Sequence, residues 1–178
     1  CGAGIGPTLL DQVVGVVKAY TTRVGNGPFP TELLDACGDN LRQIGNEYGA
    51  TTGRNRRCGW FDAPVVRKAA MVNGLTHLAI TKLDVLDNFD SIKICTAYKC
   101  DGETLDLIPN QLSKVGRCEP VYEEMPGWKQ DTTACKSWDE LPENAKNYLK
   151  RLAELVDVKI GMVSVGARRD QSIIIDME

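Results

Sequence analysis

The chain has 178 residues, enough for one sizeable core. Its 21 Lys and Arg against 24 Asp and Glu leave a formal charge of -3, which argues against a nucleic-acid or membrane surface spread over the whole domain while leaving room for a local basic site. Apolar residues make up 43%, with 17 Gly and 8 Pro, so the composition is that of a globular protein, and no run approaches a membrane span or a signal peptide. The cysteines Cys1, Cys37, Cys58, Cys95, Cys100, Cys118 and Cys135 are odd in number and irregular in spacing, and with a single His they argue against zinc and for free thiols in a reducing cytoplasm. The Gly-rich opening without an initiator Met reads as a piece of something longer.

Along the chain, Leu10, Val13, Val14 and Val17 recur at helical spacing and predict a helix. Gly25-Asn26-Gly27-Pro28-Phe29-Pro30 is a rigid turn, and Thr31 an N-cap for a helix carrying Leu34, Cys37, Leu41, Ile44 and Tyr48 and ending near Gly49. Asp62 caps a second helix through Val65, Val66, Ala69 and Ala70 that stops at Gly74. Leu75 to Ile80 is a buried strand. Ile92 to Tyr98 alternates with period two, Asp101-Gly102 turns, and Pro120 to Met125 returns, an antiparallel excursion. Ser137 to Glu140 has capping-box form before an amphipathic helix with Leu149, Leu152, Leu155 and Val156, and strands follow over 158–165 and 172–176. Helices alternating with strands indicate one α/β domain with a mostly parallel sheet flanked by helices.

Three segments carry candidate chemistry. Thr81-Lys82-Leu83-Asp84 lies just past the buried strand, where open α/β sheets place ligands. A carboxylate there can accept from the N1–H and the amino group of guanine, a donor pair that adenine lacks, and the Lys stem can pack along a flat base. Leaving such a carboxylate unpaired against the wrong base costs roughly 1–3 kcal/mol or more. The loop Ala50-Thr51-Thr52-Gly53-Arg54-Asn55-Arg56-Arg57 sets three guanidinium forks beside two hydroxyls, a match for carboxylate or phosphate. Cys58 adjoins these cations, which favours its thiolate. Ser164-Val165-Gly166 ends a later strand and can offer backbone N–H groups to a carbonyl oxygen. Taken alone, each has a bland alternative: a capped turn, a solvated basic loop, a plain strand exit. His77 reads as structural, the three Trp as packing, and Arg168 and Arg169 as surface charge. No G-x-x-x-x-G-K-[ST] phosphate loop is present.

Together these segments resemble the adenylosuccinate synthetase family. The resemblance rests on Lys18 to Gly25, Gly27 to Glu32, Thr51-Thr52-Gly53-Arg54 with Arg56 to Trp60, Thr81 to Asp87, Pro126-Gly127-Trp128 and Ser164-Val165-Gly166, in order along almost the whole chain. It implies a GTP-dependent ligase of purine biosynthesis that joins inosine monophosphate (IMP) and L-aspartate, with Mg2+, within a larger P-loop-NTPase-like α/β fold and usually a homodimer. On that resemblance GTP meets Arg56, Lys82, Leu83, Asp84, Ser164, Val165 and Gly166. IMP meets Val24 and Arg54, and aspartate meets Ala50, Thr51, Thr52, Gly53, Arg54, Asn55 and Arg56. Asn55 stands where many relatives are basic, which softens loop closure without removing a fork. The phosphate loop, the catalytic Asp and His and the Mg2+ site belong to an N-terminal part not found here, so the chain is expected to be a C-terminal portion that is inactive alone. The alternatives are a noncatalytic guanine-nucleotide-binding module, with the same selectors, and an RNA-binding element using Arg54 to Arg57. The acidity of the chain and the lack of basic–aromatic interleaving disfavour RNA.

Overall fold

Val13-Val14-Gly15-Val16-Val17 shows side-chain chemistry overriding spacing. In the computed structural model, which describes residues 2–175, this run is strand β1 (Val14–Lys18) and not the predicted helix. Branching at Cβ makes a valine run stiff in a helix and well suited to a pleated sheet. A second short strand, β2 (Thr21–Arg23), follows, with β3 (Arg57–Gly59) antiparallel to it.

Between them, α1 (Ala36–Ile44) is capped by Asp35, whose carboxylate accepts from the N–H groups of Cys37 and Gly38. The expected cap, Thr31, is instead fully buried. The helix stops at Gly45 rather than near Gly49, because the chain then turns to pair Tyr48 with Asn55. Asp62 does cap α2 (Ala63–Asn73), which ends at Gly74 in the left-handed conformation.

The main sheet has the order β1, β5 (His77–Thr81), β9 (Lys159–Ser164) and β10 (Ser172–Ile174). Its first three strands are parallel and β10 is antiparallel. The expected final strand thus ends at Ile174, and Asp176 lies outside the described residues. The excursion is a second sheet of β4 (Phe61–Asp62), β6 (Ser91–Cys100), β7 (Glu103–Leu105) and β8 (Glu119–Pro126). There β7 and β8 run antiparallel to β6, while β4 is parallel to it. A short helix, α3 (Leu112–Val115), joins β7 to β8.

Helix α4 (Glu143–Val156) returns the chain to the main sheet and buries Tyr148, Leu149 and Leu152 completely. It begins after Pro142 with no side-chain cap, and Glu140 of the expected capping box accepts from the Lys136 N–H instead. The six described cysteines are free. No helix among the described residues is long and apolar enough to cross a membrane.

Asp62 also ties β4 to β6 within the second sheet. It is 1% exposed and accepts from the Tyr98 hydroxyl at 2.5 and 2.6 Å. Burial raises its pKa to about 6, against the opposing hydrogen bonds from Tyr98, Val65 and Thr31. The folded protein therefore holds this proton more tightly than the unfolded chain does. The resulting stabilisation is full below about pH 4 and is lost as pH rises through about 6, on the order of 2–3 kcal/mol. Denaturant titrations of the full-length protein across that window should show a decline that Asp62→Asn removes; an equal slope in the variant would contradict the assignment.

Candidate functional site

The register of the parallel strands brings three chain segments to one edge of the main sheet. Lys18 pairs with Thr81, and Ile80 with Val163, so the carboxyl ends of β1, β5 and β9 lie side by side. Immediately past β5, Lys82 adopts a left-handed backbone (φ 61°) and Leu83–Leu86 form a single 3₁₀ turn. Ser164 closes β9 next to this turn.

The turn carries two aspartates with opposite fates. Asp87 is buried and accepts from the Trp128 indole N–H at 2.7 Å, the Thr132 N–H at 2.8 Å and the Thr132 hydroxyl at 3.0 and 3.1 Å. It pins the Pro126-Gly127-Trp128 segment. Asp84, three residues earlier, has a buried Oδ1 with no hydrogen-bond partner. Burial raises its pKa, opposed by its own backbone N–H and by Lys82 and reinforced by Asp131. A buried acceptor without a donor is rare enough in folded proteins to ask for a ligand. Leu83 has no exposed side chain, so only its backbone can meet one.

Beneath this edge sits Glu47, fully buried. Its carboxylate accepts from Lys18 Nζ at 2.8 and 2.9 Å, Tyr20 Oη at 2.6 Å, Arg56 at 2.8 Å and Lys82 Nζ at 3.0 Å. Burial alone would push this acid up; the four donors override it and hold its pKa at about 2. Lys82 also donates to the Gly45 carbonyl. The Lys82 ammonium is thus held by Glu47 and Gly45, as the sequence reading did not foresee. Gly45 is required for space rather than for backbone angle: a methyl there would run into the Tyr20 hydroxyl and the Leu41 carbonyl.

The arginine loop grows from this carboxylate. The Arg56 N–H donates to the Glu47 carbonyl at 2.9 Å and the Gly49 N–H to the Arg54 carbonyl at 2.9 Å, closing the neck of a flap over 50–55. The three arginines are not equivalent. Arg57 forks onto Glu32 at 2.7 and 2.5 Å and donates to the Gly25 and Gly27 carbonyls, fixing the Gly25 to Gly27 turn. Both glycines have positive φ, 80° and 119°, which explains their presence there. Arg56 is half-committed: one end grips Glu47 while its buried Nε has no partner. The Arg54 guanidinium is exposed and has no partner among the described residues.

Val24, Thr52, Arg54, Asn55 and Arg56 line one cavity of about 400 Å³ together with Gly25, Asn26, Gly49 and Arg57. The structure therefore gathers Val24 and the Arg54 loop as expected for a shared ligand. Ala50, Thr51 and Gly53 are exposed and lie outside the cavity lining. At the second strand end, Val165 is fully buried and its N–H donates to the Gln171 carbonyl at 2.9 Å, so that N–H is not offered to a ligand. The Ser164 hydroxyl donates to the Gly166 carbonyl at 2.9 Å. Cys58 does not behave as its neighbours suggested: burial and Glu47 push its thiol up despite the cations. Arg168 and Arg169 are exposed, as read.

A family model for adenylosuccinate synthetase matches residues 1–173. The chain belongs to the adenylosuccinate synthetase family. The adenylosuccinate synthetase of Trichlorobacter lovleyi is 59% identical over 174 residues, and that of Picosynechococcus sp. 61% identical over 175. Each match covers 98% of this chain and 40% of the relative. The structure of the fully ligated adenylosuccinate synthetase from Plasmodium falciparum superposes with a TM-score of 0.94 at 42% identity, covering 98% of this chain and 42% of that one. The chain thus spans about two-fifths of the length of the synthetases it matches.

Sequence reasoning missed Glu47, Lys18 and Tyr20. The available signal was an acid seven positions before Arg54, with a Lys at the end of a valine strand.

Proposed function

We propose that this chain supplies the guanine-reading edge and the aspartate-binding flap of a GTP-dependent ligase that joins IMP to L-aspartate, giving adenylosuccinate, GDP and phosphate. The observation that carries the reading is the buried, partnerless Oδ1 of Asp84 at the carboxyl end of β5. In this reading it accepts from guanine N1–H and the exocyclic amino group, with Ser164 and Gly166 bordering the base. Arg54 clamps the aspartate carboxylate and reaches IMP beside Val24, while Arg56 faces GTP. The purine 6-oxygen is phosphorylated from GTP, and the aspartate amine then displaces that phosphate.

Support comes from family membership, from the shared cavity of Val24 and Arg54, and from Glu47, which joins Lys82 on the guanine side to Arg56 on the flap side. Among the described residues no group of three or more His, Cys, Asp or Glu is gathered that could hold a metal ion, and the reading routes no step through one here. The phosphate loop, the general base and the Mg2+ ligands are proposed to lie elsewhere in a longer, cytoplasmic, homodimeric protein. This portion is read as carrying no catalytic residue of its own.

Three outcomes follow. In the full-length protein, Asp84→Asn should blunt the preference for GTP over other purine triphosphates; an intact preference would place the base elsewhere. Arg54→Leu should raise the aspartate KM and lower kcat, together costing on the order of tenfold to a hundredfold in kcat/KM through loss of a charge-assisted fork. Unchanged kinetics would remove Arg54 from the site. The purified 178-residue chain should form no adenylosuccinate in a coupled assay, and measurable turnover would refute the division of labour.

A further inference from the structure

The guanine-side turn and the flap are anchored to the same side chain. Lys82 Nζ lies 3.0 Å from Glu47 Oε1, and the Arg56 guanidinium lies 2.8 Å from Glu47 Oε2. Each segment is also tied to the backbone around Glu47: Lys82 to the Gly45 carbonyl, and the Arg56 N–H to the Glu47 carbonyl. Lys18 and Tyr20 hold the same carboxylate from the side of β1, so it cannot turn to favour one segment without breaking bonds to the other.

The arrangement is also unbalanced in a way that points outward. Three cations share one carboxylate, and the buried Nε of Arg56 has no acceptor. The cluster holds more positive charge than its own acid neutralises, next to a cavity whose lining includes Arg54 and Arg56. Ligand anions entering from either side therefore act on the cations of one rigid node.

We propose that Glu47 is a positioning residue that couples nucleotide binding to aspartate binding, by fixing Lys82 and Arg56 on the two oxygens of one buried carboxylate. The proposal rests on the reading of Asp84 and Arg54 given above. Arg56 itself faces GTP in that reading, and Glu47 ties it to the guanine turn as well: an ordered turn holds Lys82, Lys82 holds Glu47, and Glu47 holds Arg56 and the neck of the flap. By linkage the effect is reciprocal.

The test uses the full-length protein with IMP present. The aspartate dissociation constant is measured by calorimetry with and without a nonhydrolysable GTP analogue. In the wild type the analogue should tighten aspartate by about fivefold or more. In Glu47→Gln the ratio should fall to near one. Tyr20→Phe removes one hydrogen bond from the same carboxylate but no link between the segments, so it should keep the wild-type ratio whatever it does to thermal stability. If Glu47→Gln does not fold, Glu47→Asp, one methylene too short to reach both cations, should show the same loss. A wild-type ratio of one, or an undiminished ratio in the folded Glu47 variant, overturns the proposal. Asp84→Asn separates the two levels: blunted guanine preference with an undiminished ratio in the Glu47 variant refutes the coupling alone, whereas intact guanine preference in Asp84→Asn refutes the underlying reading.

Discussion

A single carboxylate without access to water, gripped by two lysines, an arginine and a phenol, determines where the ligand-facing groups of this chain stand. Glu47 links the end of β1, the turn after β5 and the neck of the arginine flap, three segments far apart in sequence. Removing one partner from a buried ion pair typically costs about 3–5 kcal/mol, because it strands the remaining charge. With its pKa held at about 2, the acid stays ionised across ordinary conditions, so the node is permanent rather than switched. The flap can then be short and exposed at its tip and still be placed accurately at its base.

Three aspartates show how environment separates structure from function. Asp87 has its needs met by Trp128 and Thr132, and Asp62 by Tyr98, Val65 and Thr31. Burial raises the pKa of both, yet hydrogen bonds surround them. Asp84 is raised by burial too and keeps one buried oxygen without a donor. Only the last arrangement is better satisfied by a molecule outside the chain. Arginines divide the same way: Arg57 braces the Gly25 to Gly27 turn, Arg56 is shared, and Arg54 faces solvent with no partner among the described residues.

Elements with a strong local signal were legible in the sequence. The buried run into β5, the alternating β6, the amphipathic α4 and the Asp62 cap follow from period and capping chemistry that act within a few residues. The parallel sheet followed from the alternation of elements. What was not legible depended on distant partners. The valine run of β1 fits helical spacing by count, and the neighbouring β5 decides it as a strand. Thr31 has capping chemistry but is buried against Asp62, and α4 starts after Pro142 with no side-chain cap. Glu47 is unremarkable in a linear reading, since its partners Lys18 and Lys82 lie 29 and 35 residues away. The site residues were visible as residue types, but which arginine is free and which backbone N–H is already taken depended on contacts made by Glu32 and Gln171.

The central claim is that the partnerless oxygen of Asp84 is the acceptor for a guanine base. A crystal structure of the full-length protein with GDP tests it most directly. The account predicts guanine N1 and the exocyclic nitrogen within about 3 Å of the Asp84 carboxylate, the base lying over the turn after β5. Guanine bound away from that turn, with Asp84 Oδ1 still unpaired, would contradict it.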